Sequence, residues 1–98
     1  MITNNLLLKL KQRDNKNIAK AKDILLSMQG SIETLRSVKV EVDIRHTASS
    51  YDIILITEFA SMEDFEAYLV HPVHVEVSKY IASVLETGAS VCYESAPN

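Results

Sequence analysis

Val38-Lys39-Val40-Glu41-Val42-Asp43-Ile44-Arg45, residues 38–45, alternates apolar and charged side chains without a break. A period of two puts the four aliphatic side chains on one face of a β-strand and the four charges on the other, so the spacing predicts a strand with one wet face. Residues 46–50 are small and polar and form a hairpin loop. They lead into Tyr51-Asp52-Ile53-Ile54-Leu55-Ile56-Thr57-Glu58-Phe59, a nearly continuous apolar and β-branched run. A run of that kind is a strand covered on both faces, whereas its half-wet neighbour, carrying Lys39 and Arg45, suits a sheet edge.

Downstream, Ser61 followed by Asp64 forms a capping-box pattern, which starts a helix at Met62 with Phe65, Tyr68 and Leu69 turned inward. Pro72 interrupts that helix because it has no N–H and disfavours α geometry at His71. A second helical piece is expected from about Val73 to Glu86, with Val73, Val77, Tyr80, Ile81, Val84 and Leu85 on its inner face. Gly88 suits the left-handed position after its last turn. Ala89 to Glu94 then reads as a final strand.

Upstream, Ile18, Ala21, Leu25, Met28, Ile32 and Leu35 recur every three or four residues, one face of a helix, with Asn15 or Asn17 as its N-cap and Gly30 as its end. A looser turn carries Ile32 and Leu35. Ile2 to Leu10 is a first strand, with Leu6, Leu8 and Leu10 on one face and Leu7 on the other.

The order strand, helix, strand, strand, helix pair, strand is the split βαβ arrangement of ferredoxin-like α+β folds, with a four-stranded antiparallel sheet whose first and third strands are central. Its helices can cover one face of the sheet. Leu7, Ile54 and Ile56 make the other face apolar as well, so half of a larger core is expected to be supplied by a second chain.

Composition narrows function by exclusion. Ten Lys and Arg against thirteen Asp and Glu give a net charge of −3 with no basic stripe, which argues against nucleic-acid binding. The glycines are two, Gly30 and Gly88, too few for a phosphate cradle or a dinucleotide fingerprint. The single cysteine, Cys92, rules out a disulfide framework and a four-cysteine zinc site, and its β-like surroundings predict a small core residue. No apolar stretch approaches the ~18 residues of a membrane span, and no secretory signal pattern opens the chain. A soluble, cytoplasmic chain with no membrane partner is the expectation.

Three stretches resemble the stress-responsive A/B barrel (Dabb) domain family of dimeric α+β barrels. They are Leu6-Leu7-Leu8-Lys9-Leu10-Lys11, the Tyr51-Asp52-Ile53 entry leading to Phe59, and above all Tyr68-Leu69-Val70-His71-Pro72-Val73-His74. The likeness runs from about Ile2 to Tyr93, so residues 1–95 form one such domain and 96–98 a tail. It implies a homodimer whose two sheets face each other to form a barrel, and a cavity between sheet and helices in each subunit for a small apolar or aromatic molecule. No cofactor is implied. Most members have no established reaction, while a plant polyketide cyclase and antibiotic-biosynthesis monooxygenases stand among the relatives, so a cofactor-independent cyclase-like or monooxygenase-like enzyme is the alternative.

The same resemblance assigns roles. Tyr68 becomes a phenol that orients a substrate carbonyl, and His74 a general base, for which an imidazole is suited near neutral pH. A third family position, a histidine of the first strand, falls on Asn4, which can hydrogen-bond but cannot titrate. Asn4, Tyr68, His71 and His74 are thus the candidate ligand contacts. Two of them have a plainer reading: Tyr68 as a core-rim residue, and His71 as a group that satisfies backbone freed by Pro72. A His71/His74 metal pair is set aside because the proline disturbs their spacing and no carboxylate or thiolate completes a ligand set.

Overall fold

The computed structural model describes residues 1–96, so Pro97 and Asn98, most of the expected tail, lie outside the described residues. The chain runs β1 (Ile2–Leu10), α1 (Asn15–Leu26), β2 (Ser37–Val42), β3 (Ile53–Phe59), α2 (Met62–Val70), α3 (Pro72–Val84) and β4 (Leu85–Glu94). The strands form one antiparallel sheet in the order β2-β3-β1-β4, with β1 and β3 central as the ferredoxin-like order requires. No helix among the described residues is long and apolar enough to cross a membrane.

Register fixes which side chains share a face. Leu6 pairs with Leu55, Leu8 with Ile53, and Val40 with Leu55, so these side chains, buried or packed on the core, meet the helices on one side. Leu7 pairs with Ile54 and with Ala89, and Asn5 with Ile56 and Val91, so these belong to the opposite, helix-free face. Val91 is 63% exposed there and Tyr93 45%.

Several boundaries differ from the sequence expectations, each for a local reason. The N-cap of α1 is Asp14, not an asparagine: its Oδ1 accepts from the Asn17 backbone N–H at 2.9 Å, and the Asn17 amide donates to both carboxylate oxygens. A carboxylate at that end also complements the helix dipole. Helix α1 stops at Leu26, ahead of Gly30, where the Ser27 hydroxyl donates to the Ile24 carbonyl. Gly30 still serves a turn, at φ 79°.

Strand β2 ends at Val42 and leaves Ile44 90% exposed, because the Asp43 carboxylate turns the chain by accepting from the His46 N–H and the Ser50 hydroxyl. Those bonds, the His46 N–H first, lower the Asp43 carboxyl from its ordinary value. Strand β3 starts at Ile53, two residues later than the apolar run. Leu69 is 41% exposed, since the short α2 turns only Phe65 and Tyr68 toward the core.

Helix α3 begins at Pro72 itself, whose missing N–H costs nothing at a first helical position. It passes into β4 at Leu85 without a loop, and Gly88 is a strand residue rather than a helix terminator. A Cβ at Gly88 would stand 3.2 Å from the Leu7 carbonyl oxygen, so glycine there permits the close approach of β1. Cys92 is exposed, because the helices do not reach far enough across β4 to cover it.

Candidate functional site

The site begins with the helix break. Tyr68, Leu69 and Val70 close α2, and Pro72 denies the Tyr68 carbonyl its usual partner four residues on, so the His71 N–H bonds it at 3.1 Å instead. The His71 Nδ1 then accepts from the Val73 N–H at 3.1 Å and caps α3. Val73 would otherwise have served the Leu69 carbonyl. That freed oxygen lies 3.0 Å from His74 Nδ1.

This contact sets the state of His74. A carbonyl oxygen can only accept, so Nδ1 carries the hydrogen and Nε2 of the neutral ring keeps its lone pair. Nε2 stands 3.2 Å from the Ser78 Oγ, one turn along α3. Burial lowers the His74 pKa from 6.5, partly opposed by the Leu69 carbonyl, and thus favours the neutral imidazole at neutral pH.

Tyr68 faces His74 with ring centroids 4.3 Å apart. It is only 3% exposed, and its ring rests on Phe59 at 4.9 Å, which also holds Phe65 at 5.1 Å. Its hydroxyl donates to the Met28 sulfur at 3.8 Å, a weak partner for a buried phenol. Burial pushes this phenol up to about 12, so it stays protonated as a donor.

Tyr68, His74 and Ser78 share a cavity of about 190 Å³ between the sheet and the helices. The rest of its wall is apolar, from Leu6, Leu8 and Leu55 on the sheet to Leu25 and Met28 on the helix side, and solvent-exposed Ala82 stands at its rim. Three polar side chains converging in an otherwise greasy pocket make the pattern of a small-molecule site. A wider depression of about 300 Å³ lies on the opposite sheet face, against Leu7, Tyr51 and Ile54. Its polar lining is Glu41, Asp43, Tyr51 and Asp52, of which Asp43 is taken up by the His46 N–H and the Ser50 hydroxyl and Asp52 by the Leu10 N–H and Arg13, and it belongs with the uncovered sheet surface.

Of the four sequence candidates, Tyr68 and His74 come together here. Asn4 lies two residues along β1 from Leu6, paired with Thr57 and Cys92, and His71 caps α3 with Nε2 3.9 Å from Glu33; neither lines the cavity. Sequence marked Met28 only as a core residue and did not mark Ser78. The available signal for Ser78 was its i+4 spacing from His74, which puts both on one helix face.

A four-stranded antiparallel sheet backed by helices, with a pocket pinned at a His-Pro helix break, defines a ferredoxin-like α+β domain carrying its site within one layer interface. The chain belongs to the stress responsive A/B barrel domain family, whose sequence pattern matches residues 2–95. Among solved structures it is similar to a dimeric protein of unknown function and ferredoxin-like fold from Bacteroides fragilis, at 24% identity and a TM-score of 0.81 over 96% of this chain and 95% of that one. A protein of Arabidopsis thaliana is 21% identical over 100% and 98% of the two chains, with a TM-score of 0.82. A hydroxynitrile lyase from Passiflora edulis is 17% identical over 98% and 96%, with a TM-score of 0.81. At these identities the likeness establishes the fold. No curated protein matches the chain.

Proposed function

We propose that this chain is a homodimeric small-molecule-binding domain, taking an uncharged, apolar or aromatic ligand in the cavity beside Tyr68 and His74. The observation that carries the ligand is Tyr68: a buried phenol with a sulfur as its hydroxyl partner has a donor to spare for a ligand oxygen. The wall carries no Lys, Arg, Asp or Glu, which favours an uncharged molecule. The volume suits roughly one substituted ring.

The compound 4-ethylphenol is a direct probe. At millimolar concentration it is expected to raise the Tm of the wild-type protein by a few degrees and to shift the NMR signals of Tyr68 and His74. Ala82→Phe, a change at the exposed rim, should abolish both effects with the fold intact. No Tm rise in the wild type, or an equal rise in Ala82→Phe, would overturn the proposal.

The dimer is supported by the helix-free sheet face, where Leu7, Ile54, Ala89, Val91 and Tyr93 form an apolar surface, and by the dimeric descriptions of similar structures. Sedimentation is expected to give the mass of two 11.0 kDa chains. Ile54→Lys, which sets a charge at the centre of that face, should give a single chain; a monomeric wild type at micromolar concentration would contradict the proposal.

A second reading, a cofactor-independent enzyme, is favoured by one feature. His74 is anchored through Nδ1 and offers Nε2 on the cavity side, the disposition of a general base. The Passiflora edulis lyase of similar fold is compatible with it.

A further inference from the structure

Ser78 is the third polar side chain of the cavity, and beside His74 it completes a chemical series. Ser78 and His74 stand four residues apart on α3, with Oγ 3.2 Å from Nε2, and the Leu69 carbonyl holds Nδ1 at 3.0 Å on the far side of the ring. A carbonyl that fixes the tautomer, an imidazole with its lone pair free, and a hydroxyl within hydrogen-bond reach of that lone pair together activate a serine. Tyr68 adds a neutral O–H donor in the same cavity, with only the Met28 sulfur to hold it. A reacting group, a base and a donor for developing charge are then present in one pocket, with the orienting acceptor behind the base.

We propose that Ser78 is a nucleophile, activated by His74, for acyl transfer from small uncharged esters, with Tyr68 donating to the oxyanion. The proposal rests on the cavity being open to ligands, as proposed above. Ser78 Oγ bonds to the ester carbonyl carbon while its proton passes to His74 Nε2. The former carbonyl oxygen gains the negative charge and accepts from the Tyr68 hydroxyl. When the adduct collapses, the bond to the alcohol oxygen breaks and the alcohol leaves with the proton from Nε2. Water then repeats both steps on the acyl-serine, releasing the carboxylic acid and restoring the hydroxyl. The aliphatic wall and the 190 Å³ volume restrict the ester to short, uncharged acyl groups.

A small dialkyl fluorophosphate tests this without a known substrate: an Oγ–P bond forms, the P–F bond breaks, fluoride leaves and the serine proton goes to His74. The wild-type protein is expected to gain one dialkylphosphoryl group, mapped to Ser78 by peptide mass. Ser78→Ala should gain none, and His74→Gln should be labelled about a hundredfold more slowly. Tyr68→Phe should slow p-nitrophenyl acetate hydrolysis to a similar degree. Where Ser78→Ala does not fold, the wild-type peptide map decides alone. The absence of an adduct under conditions in which 4-ethylphenol binds would overturn the nucleophile and leave the binding site standing. An adduct mapped to a residue other than Ser78, or an undiminished rate in His74→Gln, would overturn it equally. If the wild type neither binds 4-ethylphenol nor reacts, the cavity proposal falls first.

Discussion

Phe59→Ala is expected to lower the free energy of unfolding by about 3–5 kcal/mol, the usual cost of emptying a fully buried aromatic site. Phe59 is wholly buried at the end of β3, opposite Ile2 of β1, and its ring meets both Phe65 and Tyr68. Its removal takes away transferred apolar surface and also the wall against which Tyr68 is held. Urea unfolding with an unchanged slope measures the first effect. Loss of 4-ethylphenol affinity measures the second, since a freed Tyr68 no longer presents its hydroxyl at one place. A cost below about 1 kcal/mol would mean that the three rings do not form the continuous support described.

Asp52→Ala is expected to be nearly as damaging, at about 3 kcal/mol, for an electrostatic reason. Asp52 is 1% exposed. Its Oδ2 accepts from the Leu10 N–H at 2.9 Å and its Oδ1 from Arg13 Nε at 3.0 Å. Arg13 in turn donates to the Thr47 and Ser50 carbonyls, both at 3.0 Å, so one buried carboxylate ties the end of β1 to the hairpin loop before β3. Alanine leaves a buried N–H and a guanidinium without their acceptor. Solvent reaches part of Arg13, which keeps the cost toward the lower end of the range for broken buried pairs. Asp52→Asn retains an acceptor oxygen for Leu10 and should lose less. Hydrogen exchange in residues 43–52 should quicken in both variants, and an unchanged exchange rate would show that the loop is held by other means.

Much of the fold was legible because periodicity and local chemistry decide it. The alternation at residues 38–42, the two-sided run at 53–59 and the Ser61 cap require no knowledge of distant partners, and the Ser61 hydroxyl does accept from the Asp64 N–H at 3.2 Å. The misses cluster where tertiary contact overrides local pattern. Ile44 continues the alternation, yet the Asp43 side chain bends the chain away from the sheet. Gly88 has the composition of a helix stop, yet the Lys11 N–H bonds the Val84 carbonyl at 2.9 Å, and the following residues pair at once with β1.

The site divides in the same manner. The break at His71-Pro72 is marked by residue type, because a proline is a local event, whereas Tyr68 and His74 were marked as site residues by the family resemblance of their segment. What each ring does was not local. His71 spends its Nδ1 on the Val73 N–H, and this releases the Leu69 carbonyl to orient His74; Met28, from the turn after α1, meets the Tyr68 hydroxyl across 40 positions of sequence.

By itself the amino-acid sequence determined the order of the elements, which strands are central and the apolar character of both sheet faces, since these follow from the period of the side chains along the backbone. Only the tertiary structure decided which polar groups share the cavity, which nitrogen of His74 bears the hydrogen and that Ser78 stands beside the other. Those depend on hydrogen bonds between residues whose spacing in the chain sets no distance in space until the helices are packed on the sheet.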